Sequence, residues 1–444
     1  MQIAFITLFL GLVSGPGPVA LSAGPGVAAV ELMLDGASVA RLDGPPWKAR
    51  IDFGPGLLPH HLVARALDGA GSEVARAEQW INLPRPPAEV EIAPEKAVPG
   101  APRRVRLTWQ SLTNKAPTAV TLSLDGKPLP LDAQHRTTLP LRPADAPTSV
   151  LSAELRFPGG LVARKDLALG RDFDDAVATE LTAVPVWLRQ GRELPPAADM
   201  EGWFVDGGQS PQSPQPPQPL RVDAVENGIA QVLVVRDPAV PRLLEAVRWR
   251  ARLSTMWMTV DLAPGIQMRF VSPAGRVFAG SGIPSELFDS SDRYLVKDER
   301  RAAGLLVNVS NPRERPGEPQ QLADAAAVAG LDAYATGRPR AVVVVLARGG
   351  RDVSRYEAAA VRRYLAAIHV PLFVWAAGSP GAGAAAAWGK IEDCSIRSGL
   401  NSGFRALKQA LAAQRIVWVE GRHLPQAIAL SAEAAAVLEL DPPP

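Results

Sequence analysis

Hydrophobic and polar positions alternate with a period of two through the first 170 residues. Three runs show it: Val30, Leu32 and Leu34; Val105, Leu107 and Trp109; and Leu151, Ala153, Leu155 and Phe157. An apolar side chain at every second position buries one face of an antiparallel strand. Turn sequences such as Asp-Gly separate the runs roughly every 8–12 residues, and this spacing predicts β-sandwich modules.

Two short sequences in this region recur at nearly the same distance. LMLDG at residues 32–36 returns as LSLDG at 122–126, and the triplet VAR at 74–76 returns at 162–164. Because the two offsets agree closely, they indicate two copies of one module. We place the copies at residues 27–84 and 87–170, joined by a proline-rich hinge at residues 84–88.

From about residue 229 the pattern changes to unbroken apolar strands that alternate with helices. The predicted strands are residues 231–237, 341–347, 371–378 and 415–421, with a hairpin at 266–278. A small-residue helix is predicted at 321–335, and Ser354 with Glu357 has the spacing of a capping box for the next helix. Apolar strands alternating with helices predict a parallel sheet covered on both faces.

The expected fold class is therefore multidomain α+β, with two β-sandwiches followed by an α/β domain over residues 225–440. Residues 171–224 are the predicted connector between them. This connector contains a Gln/Pro/Ser-rich segment at 207–219, a composition that stays extended and solvated.

The apolar run at residues 3–13 is too short to span a bilayer. It is typical of a secretory signal peptide, which we place at residues 1–23, although no Lys or Arg precedes it. The alternative is a buried first strand of the fold. No cysteine lies near the expected cleavage site, which excludes a lipoprotein, so we expect export to the periplasm or the extracellular space without a membrane span.

Composition narrows the function classes. The chain has 444 residues, of which 47% are hydrophobic and 21% charged, the balance of a folded protein. Its formal net charge is only +2 and no long basic run occurs, so we expect no nucleic-acid partner. Cys394 is the single cysteine, which excludes an intrachain disulfide and a cysteine-based metal site.

No complete catalytic or cofactor motif is present. Residues 383–390 lack the spacing and the hydroxyl of a phosphate-binding loop, and no serine lies in a GxSxG elbow. Cys394 follows Glu392 and Asp393, whose negative charges oppose thiolate formation. We therefore expect no cofactor and no enzymatic activity.

The β segments resemble bacterial immunoglobulin-like domains. In the first copy the resemblance is carried by the strand VELMLDGASVA, a turn at Pro45, Pro46 and Trp47, and the hairpin LVARALDGAGSEVARA. The C-terminal unit resembles a von Willebrand factor A-type domain, which implies a Rossmann-like α/β fold. Members of that family bind ligands through a metal ion held by Asp-x-Ser-x-Ser, a Thr and a further Asp at the carboxyl edge of the sheet.

Most of those ligand positions are changed in this chain. Asp237 keeps the first aspartate, but Ala239 and Pro241 replace the two serines. The Thr position holds Gln320, and Arg348 stands where the last carboxylate is expected. We therefore expect Arg348 to pair with Asp237 in place of the metal; the alternative is that Arg348 points to solvent.

The sequence thus predicts an exported, non-enzymatic protein that binds a protein partner without a metal. The predicted face consists of Asp237, Gln320, Arg348, Arg351 and Asp352, together with the 379–390 loop. One alternative is a hydrolase acting in the same crevice. Another is a carbohydrate-binding module that uses exposed Trp47 and Trp80.

Overall fold

A computed structural model provides the structure. It describes residues 3–9, 11–84, 88–94, 104–111, 116–124, 127–140, 149–158, 162–169, 176–177, 181–207, 217–226, 228–245, 261–274, 288–309, 311, 313–347, 352–379 and 383–441. The chain divides into two compact units, of which one contains residues 1–84, 182–419 and 423–444 and the other residues 85–181 and 420–422.

Seven strands form a β-sandwich at the start of the first unit. They are β1 (Ile3–Phe5), β2 (Pro16–Ala23), β3 (Ala29–Leu34), β4 (Ala37–Leu42), β5 (Lys48–Asp52), β6 (His60–Leu67) and β7 (Glu73–Ile81). One sheet has the order β1-β2-β5 and the other β4-β3-β6-β7, with antiparallel pairing throughout. Val30, Leu32 and Leu62 meet Phe5 and Val19 in the core between the sheets.

The second unit repeats this architecture. Its strands are β8 (Ala88–Pro94), β9 (Arg104–Ser111), β10 (Ala119–Leu124), β11 (Lys127–Pro128), β12 (Arg136–Thr138), β13 (Ser149–Arg156), β14 (Val162–Leu169) and β15 (Ala176–Val177). The sheets have the orders β12-β9-β8 and β11-β10-β13-β14-β15. Val105, Leu107, Leu151, Ala153 and Leu155 are buried, as the two-residue period predicted.

Strand for strand, β8–β14 pair as β1–β7 do, so the two sandwiches share one strand arrangement. In both copies the third strand lies between the fourth and the sixth, and the second lies between the first and the fifth. The first sandwich therefore begins before the predicted boundary at residue 27. The apolar run at residues 3–13 supplies β1 and buried Phe9 and Val13, the arrangement predicted by the alternative to a signal peptide.

The predicted connector also contributes regular structure. It contains β16 (Leu181–Leu188), β17 (Phe204–Asp206), β18 (Gln218–Leu220) and β19 (Val222–Glu226), with a 3-10 turn at Ala197–Asp199. These strands pair with C-terminal strands in the sheets β19-β26-β16-β28 and β18-β17-β27. The partners are β26 (Gln414–Glu420), β27 (Ile428–Leu430) and β28 (Leu438–Glu439), with a 3-10 turn at Pro425–Ala427 before β27.

A six-stranded sheet forms the centre of the α/β part. Its strands are β20 (Ala230–Arg236), β21 (Asp261–Val271), β22 (Tyr294–Asp298), β23 (Arg340–Leu346), β24 (Leu372–Ala376) and β25 (Glu392–Asp393). The order is β22-β21-β20-β23-β24-β25, with all neighbours parallel except antiparallel β22. β20 and β23 are buried along their whole length, which explains their unbroken apolar sequences.

Helices cover both faces of this sheet. They are α1 (Glu299–Asn308), α2 (Leu322–Ala335), α3 (Ala358–Ala367), α4 (Ala384–Trp388) and α5 (Arg397–Ala413), and residues 240–245 are also helical. A further helix, α6 (Ala432–Ala435), packs against β27 and β28 instead. α2 and α3 pack on one face, whereas α1 and α5 pack on the other. A Cβ on Gly330 of α2 would come within 2.0 Å of Leu365, so the small residue allows the two helices to approach closely.

Two predicted strands take part in different pairings from those expected. Residues 266–278 were predicted as a hairpin, but residues 261–271 form one strand that lies parallel to β20. Residues 415–421 were assigned to the parallel sheet, yet β26 pairs antiparallel with β19 outside it. Apolar content marks such strands as buried, but it carries no information about which neighbour they choose.

The first sandwich packs directly on the helices of the α/β part within the same unit. Leu12 and Leu57 enter the hydrophobic core formed by α2, α3 and their sheet face. The hydroxyl of Tyr364 donates a 3.0 Å hydrogen bond to the carbonyl of Asn82, and Gln426 Nε2 donates one of 2.7 Å to the carbonyl of Pro59.

We predict that Leu12→Ala destabilises the protein by about 2–5 kcal/mol, because Leu12 is fully buried between the two parts. Ile6→Ala is the matched control in the same segment, since the Ile6 side chain is 64% exposed. It is expected to change the free energy of unfolding by less than about 0.5 kcal/mol. Chemical denaturation measures both, and equal effects would contradict the burial of this segment.

Candidate functional site

The carboxyl ends of β20, β23, β24 and β25 lie at one edge of the six-stranded sheet, because these neighbouring strands are parallel. Along the chain the sheet first grows from β20 towards β22, and then from β23 towards β25 on the other side. In open α/β sheets a crevice forms where the direction of growth reverses. Here that position lies between the ends of β20 and β23, and we call it the carboxyl edge.

Asp237 is the first residue after β20 and lies at this edge, as predicted. Only 4% of its surface is exposed, and its backbone N–H donates to the Val345 carbonyl at 2.9 Å. Its Oδ1 accepts a 2.8 Å hydrogen bond from the N–H of Ala239. Burial raises the pKa of the Asp237 carboxyl group above its usual range, against the smaller effect of that hydrogen bond.

Gln320 also lies at the carboxyl edge, immediately before α2. Its carbonyl accepts a 2.7 Å hydrogen bond from the N–H of Val353, and its Nε2 donates to the carbonyl of Glu318 at 3.0 Å. The side chain is buried, and Oε1 has no hydrogen-bond partner among the residues that the structure describes.

Asp352 forms a parallel bridge with Gln320, so the structure brings these two predicted residues together. Its carboxylate accepts hydrogen bonds from the N–H groups of Leu322 and Ala323, at 3.2 and 3.3 Å. The N–H groups in the first turn of a helix have no acceptor within the helix itself, and a carboxylate is a favourable partner there. Asp352 therefore caps α2.

Ser354 completes this cap. Its Oγ donates to the Asp352 carboxylate at 2.5 Å and accepts from the N–H groups of Ala323 and Asp324, at 2.9 and 3.1 Å. The predicted capping box of Ser354 and Glu357 is therefore wrong. Glu357 itself occupies the N-cap of α3 and makes no side-chain capping bond.

Asp324, in the first turn of α2, binds the backbone of the 352–356 loop. Its two carboxylate oxygens accept hydrogen bonds from the N–H groups of Arg355 and Tyr356, at 2.8 and 3.0 Å. Burial raises the pKa of the Asp324 carboxyl group, whereas these hydrogen bonds act in the opposite direction. Residues 352–356 and the start of α2 thus bind each other reciprocally, and we call this arrangement the clasp.

Arg348 and Arg351, the remaining predicted site residues, lie outside the described residues. The Arg348–Asp237 ion pair consequently stays a prediction. The 379–390 loop is described at residue 379 and from residue 383 onwards, where it includes α4.

A buried ion pair at the same edge was missed by the sequence analysis. Arg236, the last residue of β20, is buried, with Nη2 3.7 Å from Glu314 Oε2 and Nη1 donating to the carbonyl of Leu306. Its guanidinium also lies 5.3 Å from the centre of the Phe270 ring. The available signal was a charged residue at the end of an otherwise apolar strand.

Burial dominates the ionisation of this pair. It lowers the pKa of Arg236 and raises that of Glu314, while their mutual attraction acts in the opposite direction for each. A hydrogen bond between Ser272 and Glu314 also opposes the rise in the Glu314 pKa. The pair joins the end of β20 to the segment between α1 and α2.

The described donors do not form a metal site. Among the residues that the structure describes, no three His, Cys, Asp or Glu side chains are grouped so that they could hold a metal ion. Asp237 and Asp352 each use carboxylate oxygens for backbone N–H groups. Magnesium needs several hard oxygen ligands in nearly octahedral geometry, which these two residues do not supply.

The single cysteine and the two tryptophans of the carbohydrate-binding alternative are buried or partly buried. Cys394 is buried, and burial first, then Glu392 and Asp393, raises its thiol pKa to about 12. Trp80 is buried against His61, with ring centres 4.2 Å apart. Trp47 is partly buried against the first sandwich core.

Comparison with known proteins gives no family. No protein-family model and no curated protein matches the chain. Within the described segments, no helix is long and apolar enough to cross a membrane.

Several solved structures show weak similarity. The Clostridium thermocellum CbhA fibronectin(III)-like modules are 13% identical with a TM-score of 0.17, over 18% of this chain and 93% of theirs. Proximal thread matrix protein 1 from the mussel byssus is 13% identical with a TM-score of 0.29, over 46% and 49%. The Bacteroides ovatus mixed-linkage glucan utilization locus protein SGBP-B is 8% identical with a TM-score of 0.14, over 49% and 89%. These scores carry no argument about function.

The ionisation of the edge predicts opposite pH effects for two aspartates. Burial raises the pKa of Asp237, so the fold loses stability as the pH rises from the ordinary carboxyl range to the raised pKa, and the full loss is present above it. Asp237→Asn is therefore expected to raise the Tm at pH 7, and the gain narrows as the pH falls towards about 4.

Asp393→Asn is the matched control. Hydrogen bonds from Ser395 lower the pKa of Asp393, so its carboxylate stabilises the fold at neutral pH and this stabilisation is lost on acidification. The variant should lower the Tm at pH 7 and approach the wild type in acid, as followed by calorimetry. A lower Tm for Asp237→Asn at pH 7 would contradict the desolvation argument and would favour an Arg348–Asp237 pair instead.

Proposed function

We propose that the chain is an exported, non-enzymatic binding protein whose α/β part is a degenerate von Willebrand factor A-type domain. In this proposal the carboxyl edge contacts a protein partner without a metal ion. The β-sandwiches are immunoglobulin-like modules attached to that domain.

The arrangement of the sheet supports the domain assignment. Numbered in chain order, its strands lie in the order 3-2-1-4-5-6, which is the doubly wound arrangement of Rossmann-like folds. Asp237 follows the first strand and Gln320 precedes the small-residue helix, the positions at which the resemblance expects ligating side chains. Fold alone does not fix a function, so the proposal depends on the site.

The clasp is the observation on which metal-independent binding rests. A metal-binding edge needs carboxylate oxygens that are free to coordinate the ion. Both carboxylate oxygens of Asp352 instead accept hydrogen bonds from N–H groups of α2. The edge then offers loops on a rigid sheet, which is the usual basis of protein recognition.

Export is supported only by sequence. The apolar segment that motivated it is buried in the first sandwich. The localisation therefore rests on the resemblance to bacterial immunoglobulin-like domains combined with a von Willebrand factor A-type domain, an arrangement of exported proteins. Fractionation of the producing cell with an antibody against the chain tests it, and a wholly cytosolic signal would contradict it.

Metal independence predicts that divalent cations leave the folded state unchanged. Millimolar magnesium or manganese should give the same Tm as excess chelator, because a ligand stabilises a fold only when it binds the native state. Differential scanning calorimetry at constant ionic strength is the measurement. A dose-dependent rise in Tm at sub-millimolar metal would contradict the proposal.

Partner binding predicts an asymmetry between the two ends of β23. Arg348→Glu, just beyond its carboxyl end, should reduce capture of envelope proteins by at least about tenfold, since charge reversal at an interface disfavours the partner. The matched control is Arg338→Glu, at an exposed position just before the amino end of β23. This variant should leave capture unchanged. Capture must persist in chelator, and equal capture by both variants would place the partner elsewhere.

A further inference from the structure

The loop of the clasp is bound from a second side by the first β-sandwich. Tyr356, at the end of residues 352–356, donates a 3.1 Å hydrogen bond from its hydroxyl to the carbonyl of Leu12. The side chain of Ser14 hydrogen-bonds to the same hydroxyl. Tyr356 is buried in the hydrophobic core that Leu12 and Leu57 enter from the sandwich.

The sandwich presents this carbonyl from a fixed segment. The Asn82 side chain accepts from the N–H of Val13 at 2.8 Å and donates to the Val13 carbonyl at 2.9 Å. It also donates to the carbonyl of Leu58 at 3.0 Å. Residues 12–14 are therefore held by the end of β7 and cannot move independently of the sandwich.

The loop is thus held at both of its ends by different parts of the unit. Asp352 and Ser354 bind the start of α2, whereas Tyr356 binds the sandwich. Val353 lies between Asp352 and Ser354, and 42% of its surface is exposed. An exposed apolar residue on a loop fixed on both sides is pre-organised for contact, which lowers the entropic cost of binding.

We propose that the first β-sandwich is a positioning part of the partner-binding edge, and that Tyr356 is the residue through which it fixes the 352–356 loop. In this proposal the first sandwich helps to fix the conformation of the exposed loop, together with the start of α2. The role in binding rests on the proposed function, but the positioning itself does not.

Tyr364 provides a matched control that the fold itself offers. It also donates its hydroxyl to a main-chain carbonyl of the first sandwich, that of Asn82 at 3.0 Å. However, Tyr364 lies within α3, and the clasp does not include it. Removing either hydroxyl deletes a buried hydrogen bond to a main-chain carbonyl of the same sandwich, and in Tyr356 it also removes the bond with Ser14. Only Tyr356 belongs to the loop.

Amide hydrogen exchange of the full chain tests the positioning without any partner. In Tyr356→Phe, protection of the N–H groups of Val353, Arg355 and residue 356 should fall at least about tenfold, because the hydroxyl that binds Leu12 and Ser14 is lost. In Tyr364→Phe these amides should keep wild-type protection. Ser14→Ala, on the sandwich side, should lower it in the same direction by a smaller factor.

Asp324→Asn tests the sensitivity of the measurement, because it weakens the bonds to Arg355 and Tyr356 directly. Unchanged loop protection in Tyr356→Phe while Asp324→Asn lowers it would overturn the proposal. Equal losses in Tyr356→Phe and Tyr364→Phe would also overturn it, since they would report general loosening.

Partner capture by the same variants separates the positioning from the proposed function. If Tyr356→Phe loosens the loop and also weakens capture, both ideas are supported. If the loop loosens and capture is unchanged, the positioning stands and the partner does not bind at this loop.

Discussion

The backbone N–H groups at the start of α2 constrain the whole carboxyl edge. α2 is buried on almost every side, so water cannot satisfy the amides of its first turn and protein oxygens must do so. Asp352 and Ser354 supply those oxygens from the loop after β23, and Asp324 in turn fixes that loop. Once these polar groups are committed to one another, the edge has rigidity but few free carboxylate oxygens.

The same constraint explains why local sequence rules assigned Ser354 to the wrong helix. A serine three residues before a glutamate satisfies the capping pattern of the helix that follows, and that pattern considers only neighbours in sequence. In the structure Ser354 meets amides about 30 positions earlier, because β23 brings its loop to the start of α2. A cap formed between distant segments has the composition of a local cap and cannot be distinguished by spacing.

The spacing of apolar residues and the internal sequence repeat predicted much of the remaining fold. The faces of β3, β9 and β13, the fully buried strands β20 and β23, and the two copies of one sandwich all follow from positions of apolar residues. The start of the first copy did not, since the repeated sequences lie at β3 and in β7 and leave β1 and β2 unmarked. Strand partners were also missed for β26, because an apolar run shows that a strand is buried and not which sheet buries it.

The docking of the first sandwich has almost no sequence signal, for a physical reason. Tyr356 and Tyr364 bind main-chain carbonyls of Leu12 and Asn82, and every residue has a carbonyl. Only the donor side of such an interface is specified by residue type, and a tyrosine on an apolar helix face is equally consistent with simple burial.

Burial also changes what a partner would meet at the carboxyl edge. A count of charged residues in the sequence overstates the charge available there, because Arg236 and Glu314 are paired inside and Asp352 is bound to α2. Desolvation lowers the pKa of Arg236 and raises the pKa of Asp237, and both shifts favour the neutral form of the side chain. Among the described residues of the edge, recognition of the proposed partner would therefore depend more on shape and on exposed apolar positions such as Val353 than on net charge. The clasp would favour that mode of recognition, since an apolar contact contributes more affinity when the surface that presents it is already ordered.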